Sequence, residues 1–234
     1  MPRGRIALST ALALCMAGAA GAASFTVSPV RITLAPGSAT DSLTVRNNGS
    51  EPAVVQLEPL RWSLRDGVDV QEPTRELLAT PPIFTLAPGA SQIVRVGLRG
   101  RGPDPVTEIA YRLLLKEVPS ALPAGASGIH MALRINLPVF VQPLSAARPS
   151  LQWQARREGS LRLSARNDGN VHLQLLGLRV DGVEWPLPAA SGYLLPGQTR
   201  TWPVDPKAPA GTTLRLVART DGGELASDVV VTAP

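Results

Sequence analysis

The chain has 234 residues, with 23 lysines and arginines against 18 aspartates and glutamates, a net charge of +5 near neutral pH. So mild a charge, without a dense run of basic residues, gives no reason to expect nucleic acid as a partner. The 23 prolines and 21 glycines, among many valines and leucines, favour strands and turns over helices.

The first 23 residues are predicted to be a signal peptide. Arg3 and Arg5 precede an apolar run of roughly a dozen residues, too short to cross about 30 Å of hydrocarbon as a helix. Ala20-Gly21-Ala22 then supplies a small-x-small cleavage site, with the cut directly after it or one residue later. No later stretch is apolar enough for a membrane span, so we expect an exported protein that does not insert into the membrane.

Cys15 is the single cysteine and lies inside the apolar part of this signal. We interpret Cys15 as an ordinary apolar residue of the signal peptide rather than as a lipoprotein attachment site, because Leu14 is bulky where a small residue is expected. The mature chain then has no thiol. Disulfides, thiolate catalysis and cysteine-based metal sites are excluded on this interpretation.

Alternating apolar residues separated by turn signals recur from residue 24 to the end of the chain. The first strand is expected to continue through Pro29, and one helical turn is possible at 74–79. Otherwise the pattern indicates an all-β protein. The strands predicted in the first half are 25–34, 43–45, 53–57, 61–64, 68–70, 83–86, 91–98, 108–118 and 129–141.

The turn chemistry of the first half is repeated in the second. Arg46-Asn47-Asn48-Gly49 is echoed by Arg166-Asn167-Asp168-Gly169, and Leu86-Ala87-Pro88-Gly89 by Leu195-Pro196-Gly197. Such turns also recur by chance in all-β chains, but the repeat predicts two related β-sandwiches. We place the first domain at 24–144, a linker at 145–149 and a smaller second domain at 150–234.

The sequence contains little that indicates an enzyme or a metal site. His130 and His172 alternate with apolar neighbours and are interpreted as outward-facing strand residues. Asp66 and Asp69 lie in a predicted hairpin, and Asp221 begins another turn, where aspartate is expected for its local hydrogen bonds. No nucleophile elbow, P-loop, dinucleotide fingerprint or zinc-protease motif occurs. The sequence therefore predicts a protein without enzymatic activity, metal or cofactor.

Residues 129–141 contain a long alternation whose apolar members share one strand face: Ile129, Met131, Leu133, Ile135 and Leu137. Polar residues occupy the other face: His130, Arg134 and Asn136. The apolar row is compatible with filling the sandwich core. The alternative is an exposed edge that donates this row to a partner's incomplete sheet.

Arg31 interrupts the apolar run of the first strand, between Val30 and Ile32. It is compatible with a solvated strand face. The functional alternative is a cation that anchors a carboxylate, for which arginine offers a rigid bidentate fork.

Four segments together resemble one family: TPPIFTLAPGASQIVRV at 80–96, YRLLLKEVP at 111–119, SPVR at 28–31 and LPVFV at 137–141. They are similar to the periplasmic pilus-assembly chaperones of the chaperone–usher pathway, which are PapD-like. The last segment is similar to the archaic branch of spore-coat-protein-U-type pili. The resemblance covers most of 24–143, and from residue 151 onward it rests on architecture and turn spacing alone.

The resemblance implies two immunoglobulin-like sandwiches arranged as a boomerang. It also implies that the strand around 129–135 completes a pilin's sandwich by donor-strand complementation, without ATP, until an outer-membrane usher receives the subunit. Expected partners are pilin or fimbrial subunits, the usher and, through the donor edge, a second copy of the chain. The expected location is the periplasm.

The family anchors the pilin's C-terminal carboxylate with an arginine on the first strand and a lysine on the donor strand. Arg31 matches the first cation. Asn136 stands at the lysine position, and Arg134 matches the arginine before Ile135, with access to the cleft only through a local bulge or a shifted alignment. The resemblance also suggests a cis peptide bond at Pro81.

Two other classes compete with a chaperone. A structural or adhesive fimbrial subunit would usually carry one incomplete domain, an N-terminal donor extension and often a disulfide, and none of these is seen in the sequence. A periplasmic hydrolase on a sandwich scaffold lacks its catalytic residues here.

Overall fold

The computed structural model describes residues 24–35, 38, 40–65, 68–99, 106–119, 132–187, 192–204 and 208–233. Every regular element of these residues is a β-strand, which confirms the predicted all-β class. The strands are β1 (Phe25–Ser28), β2 (Ile32–Leu34), β3 (Thr40–Asn47), β4 (Ala53–Arg65), β5 (Val68–Pro73), β6 (Leu77–Thr80), β7 (Ile83–Leu86), β8 (Ser91–Leu98), β9 (Ile109–Val118), β10 (Arg134–Val141), β11 (Leu151–Glu158), β12 (Ser160–Asn167), β13 (Leu173–Val180), β14 (Val183–Trp185), β15 (Tyr193–Leu194), β16 (Thr199–Val204), β17 (Thr213–Thr220) and β18 (Gly223–Thr232).

Strands β1 to β10 form a sandwich of two sheets. One sheet has the order β1-β3-β8-β6, and the other has the order β2-β10-β9-β4-β5, with β7 also paired to β4. Side chains alternate between the two faces of each strand, so every second residue enters the space between the sheets. The core contains Val45 and Val94 from the first sheet and Ile32, Leu113 and Val139 from the second, all fully buried.

The segment predicted as one strand over 25–34 is divided between both sheets, so that prediction was wrong. β1 pairs antiparallel with β3, whereas β2 pairs parallel with β10. The Ser28–Pro29 peptide bond between them is cis. Proline has no N–H with which to continue a ladder, and the chain crosses from one sheet to the other at this point. Arg31 lies in the crossing.

Strand β4 is longer than predicted, because 53–57 and 61–64 belong to one strand that passes through Pro59. Its pairing changes at this proline. Residues 53–56 pair with β7, and residues 60–65 pair with β5. The helical turn predicted at 74–79 was also wrong, since residues 74–76 are irregular and β6 begins at Leu77 and pairs with β8.

Strands β11 to β18 form the second sandwich. β14, β13, β17 and β18 are one antiparallel group, and β11, β12 and β16 are another. A short parallel pairing of Ala155 and Arg156 with β18 joins the two groups. The core between them is separate from that of the first sandwich and contains Leu163, Leu178 and Leu216, all fully buried.

A fully buried asparagine forms the same turn in both sandwiches. Asn47 donates to the carbonyls of Glu51 (2.7 Å) and Leu86 (3.1 Å), and its own side-chain oxygen accepts from the N–H of Gly49. Asn167 donates to the carbonyls of Val171 (2.8 Å) and Leu194 (2.9 Å) and accepts from the N–H of Gly169.

The Pro-Gly turn of each sandwich packs against this asparagine turn. The N–H of Gly89 donates to the carbonyl of Asn47, and the N–H of Gly197 donates to that of Asn167. Both glycines have positive φ, 73° and 76°, which glycine adopts without steric cost. The sequence repeat therefore corresponds to a repeated structural unit: each sandwich contains an asparagine turn that packs against a Pro-Gly turn.

A small apolar cluster joins the two sandwiches. Trp62, Ala110 and Phe140 of the first pack with Leu195 of the second, and Tyr193 lies against them. The ring centroids of Trp62 and Tyr193 are 5.3 Å apart with the rings nearly perpendicular. This cluster lies on the outer face of the β9–β10 sheet, next to the site described below.

Candidate functional site

Strand β10 has a neighbour along its whole length on one side only. Its ladder with β9 runs from Arg134 to Val141, whereas β2 pairs only with Val139, Phe140 and Val141. Among the described residues, no strand pairs with the other side of residues 134–138. We call residues 134–138 the open edge.

The direction of the backbone groups along the open edge follows from the antiparallel ladder. The N–H of Glu117 donates to the carbonyl of Leu133 at 2.9 Å, so residue 133 points its backbone groups toward β9. Residues of an antiparallel strand alternate in this respect. The N–H and C=O groups of Arg134 and Asn136 therefore point away from β9, together with the C=O of Pro138.

The apolar row of the predicted donor strand is partly used in the sandwich core. Leu137 is buried, whereas Leu133 and Ile135 are half-buried. These two side chains line a narrow crevice with Phe25, Val45, Val55 and Leu115 at one end of the first core. Ile129 and Met131, the remaining members of the row, and His130 lie outside the described residues.

Arg31 lies at the end of the open edge, directly before β2. Its side chain is 42% exposed, and its Nη1 donates to Oδ2 of Asp221 at 2.8 Å. Asp221 begins the turn between β17 and β18 in the second sandwich, and its Oδ1 also accepts from the N–H of Gln174 at 3.1 Å. The sequence predicted this aspartate as a turn residue but gave no indication of its contact with Arg31.

Arg134 and Asn136 share the outer face of β10. The ladder to β9 is continuous from Arg134 to Val141, without the local bulge that would turn Arg134 toward the cleft. Asn136 donates from Nδ2 to Oε1 of Gln71 at 3.0 Å. Arg134 is exposed and pairs across the ladder with Lys116, a residue of like charge.

The sequence suggested that His172 is an outward-facing strand residue, but the structure shows a different position. It precedes β13, its side chain is 11% exposed, and Nδ1 lies 2.7 Å from Oε1 of the buried Glu108. Its Nε2 lies 3.7 Å from Oδ2 of Asp221, and its ring stacks on Phe140 at 3.7 Å. The histidine thus links the two sandwiches beside Arg31, a position that local alternation could not reveal.

Arg112 is a second cation next to the open edge. It lies on β9 opposite Pro138, and its guanidinium stacks over the ring of Trp62, 3.6 Å from the centroid. Burial lowers the pKa of Arg112, although nearby Tyr193 and Asp69 act in the opposite direction. Asp69 itself accepts from Arg200 at 3.0 Å and from Nε1 of Trp62 at 2.9 Å.

Tyr193 lies between Arg31 and Arg112. Its hydroxyl lies near the guanidinium of Arg31, and the ring centroid is 5.4 Å from Cζ of Arg112. Burial raises the pKa of Tyr193, while the charges of Arg112 and Arg31 lower it. The phenol therefore stays protonated near neutral pH and retains an O–H that can donate to an anion.

The Thr80–Pro81 peptide bond, singled out in the sequence, is cis and connects β6 to β7. The parts of the chain that the structure describes contain no group of three or more histidine, cysteine, aspartate or glutamate side chains arranged to hold a metal ion. They also contain no helix of the length and apolarity needed to cross a membrane.

Comparisons with known proteins agree on one family. The sequence model described as "Pili and flagellar-assembly chaperone, PapD N-terminal domain" matches residues 24–147. The chain is 27% identical to the chaperone protein FaeE of Escherichia coli over 219 residues, which is 94% of this chain and 76% of FaeE.

Solved structures show the same two-domain fold. A chain of the CsuC–CsuE chaperone–tip adhesion subunit complex, from archaic Csu pili of Acinetobacter baumannii, superposes with a TM-score of 0.68 at 20% identity. That match covers 89% of this chain and 99% of the other. The E. coli chaperone DraB superposes with a TM-score of 0.65 at 24% identity, covering 88% of this chain and 98% of DraB. The two predicted immunoglobulin-like sandwiches are thereby confirmed.

Proposed function

The chain belongs to the family of pili and flagellar-assembly chaperones, and on that premise we propose that it binds pilin subunits by donor-strand complementation. Membership of this family excludes the alternative of a structural or adhesive fimbrial subunit. The chain acts in the periplasm and delivers each subunit to an outer-membrane usher. No catalytic step and no cofactor enter this proposal.

The open edge is the main observation in support of this proposal. The outward N–H groups of Arg134 and Asn136, and the outward carbonyls as far as Pro138, supply the backbone pairing for one added strand. Leu133, Ile135 and Leu137 alternate on the core side, with Ile129 and Met131 expected to extend the row. Apolar burial adds to the affinity at roughly 25 cal/mol per Å² of surface removed from water.

Arg31 is proposed to receive the C-terminal carboxylate of the pilin. A strand added to the open edge, in line with β2, ends at this side chain. Arg31 is half-exposed, and one of its N–H groups is held by Asp221. Binding of the pilin carboxylate therefore competes with this ion pair, or uses the N–H groups that the ion pair leaves available.

An open edge also pairs readily with a second copy of the same chain. We propose that pilin binding and self-association compete for the open edge, because both use the same residues. A dimer of the free chaperone would then dissociate as pilin is added.

The direct test uses a pilin subunit encoded by the same bacterium, co-expressed in the periplasm with the tagged chaperone. We expect a stoichiometric complex. Arg134→Pro removes one outward N–H without touching the ladder to β9, and proline is tolerated where a strand N–H faces solvent. This variant is expected to fold but to recover at least about tenfold less pilin, because hydrogen bonds of the added strand are lost.

Arg134→Ala is the matched control, since it removes the same side chain but keeps the N–H. It is expected to recover pilin at close to the wild-type level. Equal loss of pilin in both variants would show that the side chain, and not the backbone of the open edge, is responsible. Full recovery of pilin by Arg134→Pro would refute strand addition at this edge.

A further inference from the structure

Arg112 is a half-buried cation that forms no ion pair within the described part of the chain. Its Nε is buried and has no hydrogen-bond partner there. The nearby carboxylate of Asp69 is already bonded to Arg200. A guanidinium that is removed from water without a counter-ion is costly unless an anion comes to it.

The side chain is held in an orientation that suits a planar anion. Stacking over Trp62 holds the guanidinium against the indole ring. Tyr193 lies next to both Arg112 and Arg31. The two arginines and the phenol thus converge beside Pro138, where the open edge ends.

We propose that Arg112, together with Arg31 and the hydroxyl of Tyr193, forms the binding site for the pilin's C-terminal carboxylate, in place of Arg134 or Asn136. This inference rests on the proposed function. Asn136 carries no charge and is bonded to Gln71. Arg134 lies four residues before Pro138, more than about 13 Å along the strand, and pairs across the ladder with Lys116.

The second cation therefore comes from β9 rather than from the donor strand. The carboxylate supplies the counter-ion that Arg112 lacks among the described residues, and it thereby helps to offset the desolvation that burial imposes on the guanidinium. This accounts for a half-buried arginine that forms no ion pair within the part of the chain that the structure describes.

The test compares two synthetic peptides that copy about the last 12 residues of the pilin, one with a free carboxylate and one with a C-terminal amide. Their dissociation constants are measured by calorimetry. Wild-type protein is expected to prefer the acid over the amide by at least about tenfold, as charge-assisted hydrogen bonds predict. Arg112→Gln should reduce this ratio to about twofold, and Arg112→Lys, which keeps the charge, should retain an intermediate ratio.

The acid-to-amide ratio separates anion binding from a structural role, because a loosened site would weaken both peptides equally. Arg95→Gln, at an exposed position on β8 in the other sheet, is the charge-matched control and should keep the wild-type ratio. If Arg31→Gln abolishes the preference while Arg112→Gln retains it, or if Arg134→Gln abolishes it instead, the role of Arg112 is overturned. If the wild type itself shows no preference for the acid, the carboxylate anchor of the proposed function fails.

Discussion

Arg31 illustrates how position distinguishes one arginine from the others. It lies where the chain crosses between the two sheets, next to the end of the open edge. The sequence indicated this residue because it interrupts an apolar run. Its partner Asp221 could not be predicted, because 190 residues separate the two and aspartate is already expected in a turn.

Tyr111 provides a prediction about pH. Burial raises the pKa of Tyr111 to about 12, and the hydrogen bond that its hydroxyl donates to Glu76 at 2.7 Å acts in the same direction. The unfolded chain loses this proton near pH 10, so the native state binds more protons between about pH 10 and 12. The contribution of Tyr111 to the free energy of unfolding is complete below about pH 10 and is lost as the pH rises through about 12.

Urea unfolding across this window measures the effect. We expect the free energy of unfolding to fall, by an amount on the order of 2 kcal/mol from Tyr111, and Tyr111→Phe to show a correspondingly shallower fall. Tyr193 also has a raised pKa, so part of the decline remains in the variant. An identical decline in both proteins would contradict the assignment.

At the scale of single elements, the paired asparagine turns are the feature that the sequence predicted best. An Asn-x-Gly turn followed by a Pro-Gly turn needs only local chemistry to be identified. Each buried asparagine bonds two carbonyls and one N–H, so a single side chain satisfies three backbone groups.

Asn47→Ala is expected to lower the free energy of unfolding by about 2–4 kcal/mol, because it leaves backbone groups of Glu51, Gly49 and Leu86 without their partner. Asn167→Ala should have a similar effect on the second sandwich. Asn48→Ala, which removes only an exposed hydrogen bond to Thr26, is the control and should cost less than about 1 kcal/mol. Urea denaturation measures the free energy of unfolding of each variant. Equal losses for Asn47→Ala and Asn48→Ala would show that the Asn47 side chain does not hold the turn as described.

Strand boundaries near proline were predicted less well. The run over 25–34 alternates like one strand, but Pro29 separates two strands in different sheets. Conversely, 53–57 and 61–64 were predicted as separate strands, yet both belong to β4, which continues through Pro59 while its partner changes from β7 to β5. Local alternation reports which face is apolar, but it does not report which strand is the neighbour.

At the scale of the whole molecule, the site depends on contacts between the two sandwiches. Glu108 and His172 are bonded across 64 residues of sequence, and Phe140 stacks on the same histidine. The cluster around Trp62 places Tyr193 of the second sandwich against Arg112 of the first. None of these contacts follows from composition or periodicity, since each joins elements whose relative position is fixed only in the folded molecule.

The proposed function requires that a pilin strand pairs with the open edge of β10. Residue-resolved amide hydrogen exchange by NMR, on the free chaperone and on its pilin complex, tests it most directly. We predict that the N–H groups of Arg134 and Asn136 exchange rapidly in the free protein and become slower by orders of magnitude in the complex, while that of Ile135, which faces β9, is protected in both. Exchange at Arg134 and Asn136 that remains as rapid in the complex as in the free protein would contradict the account.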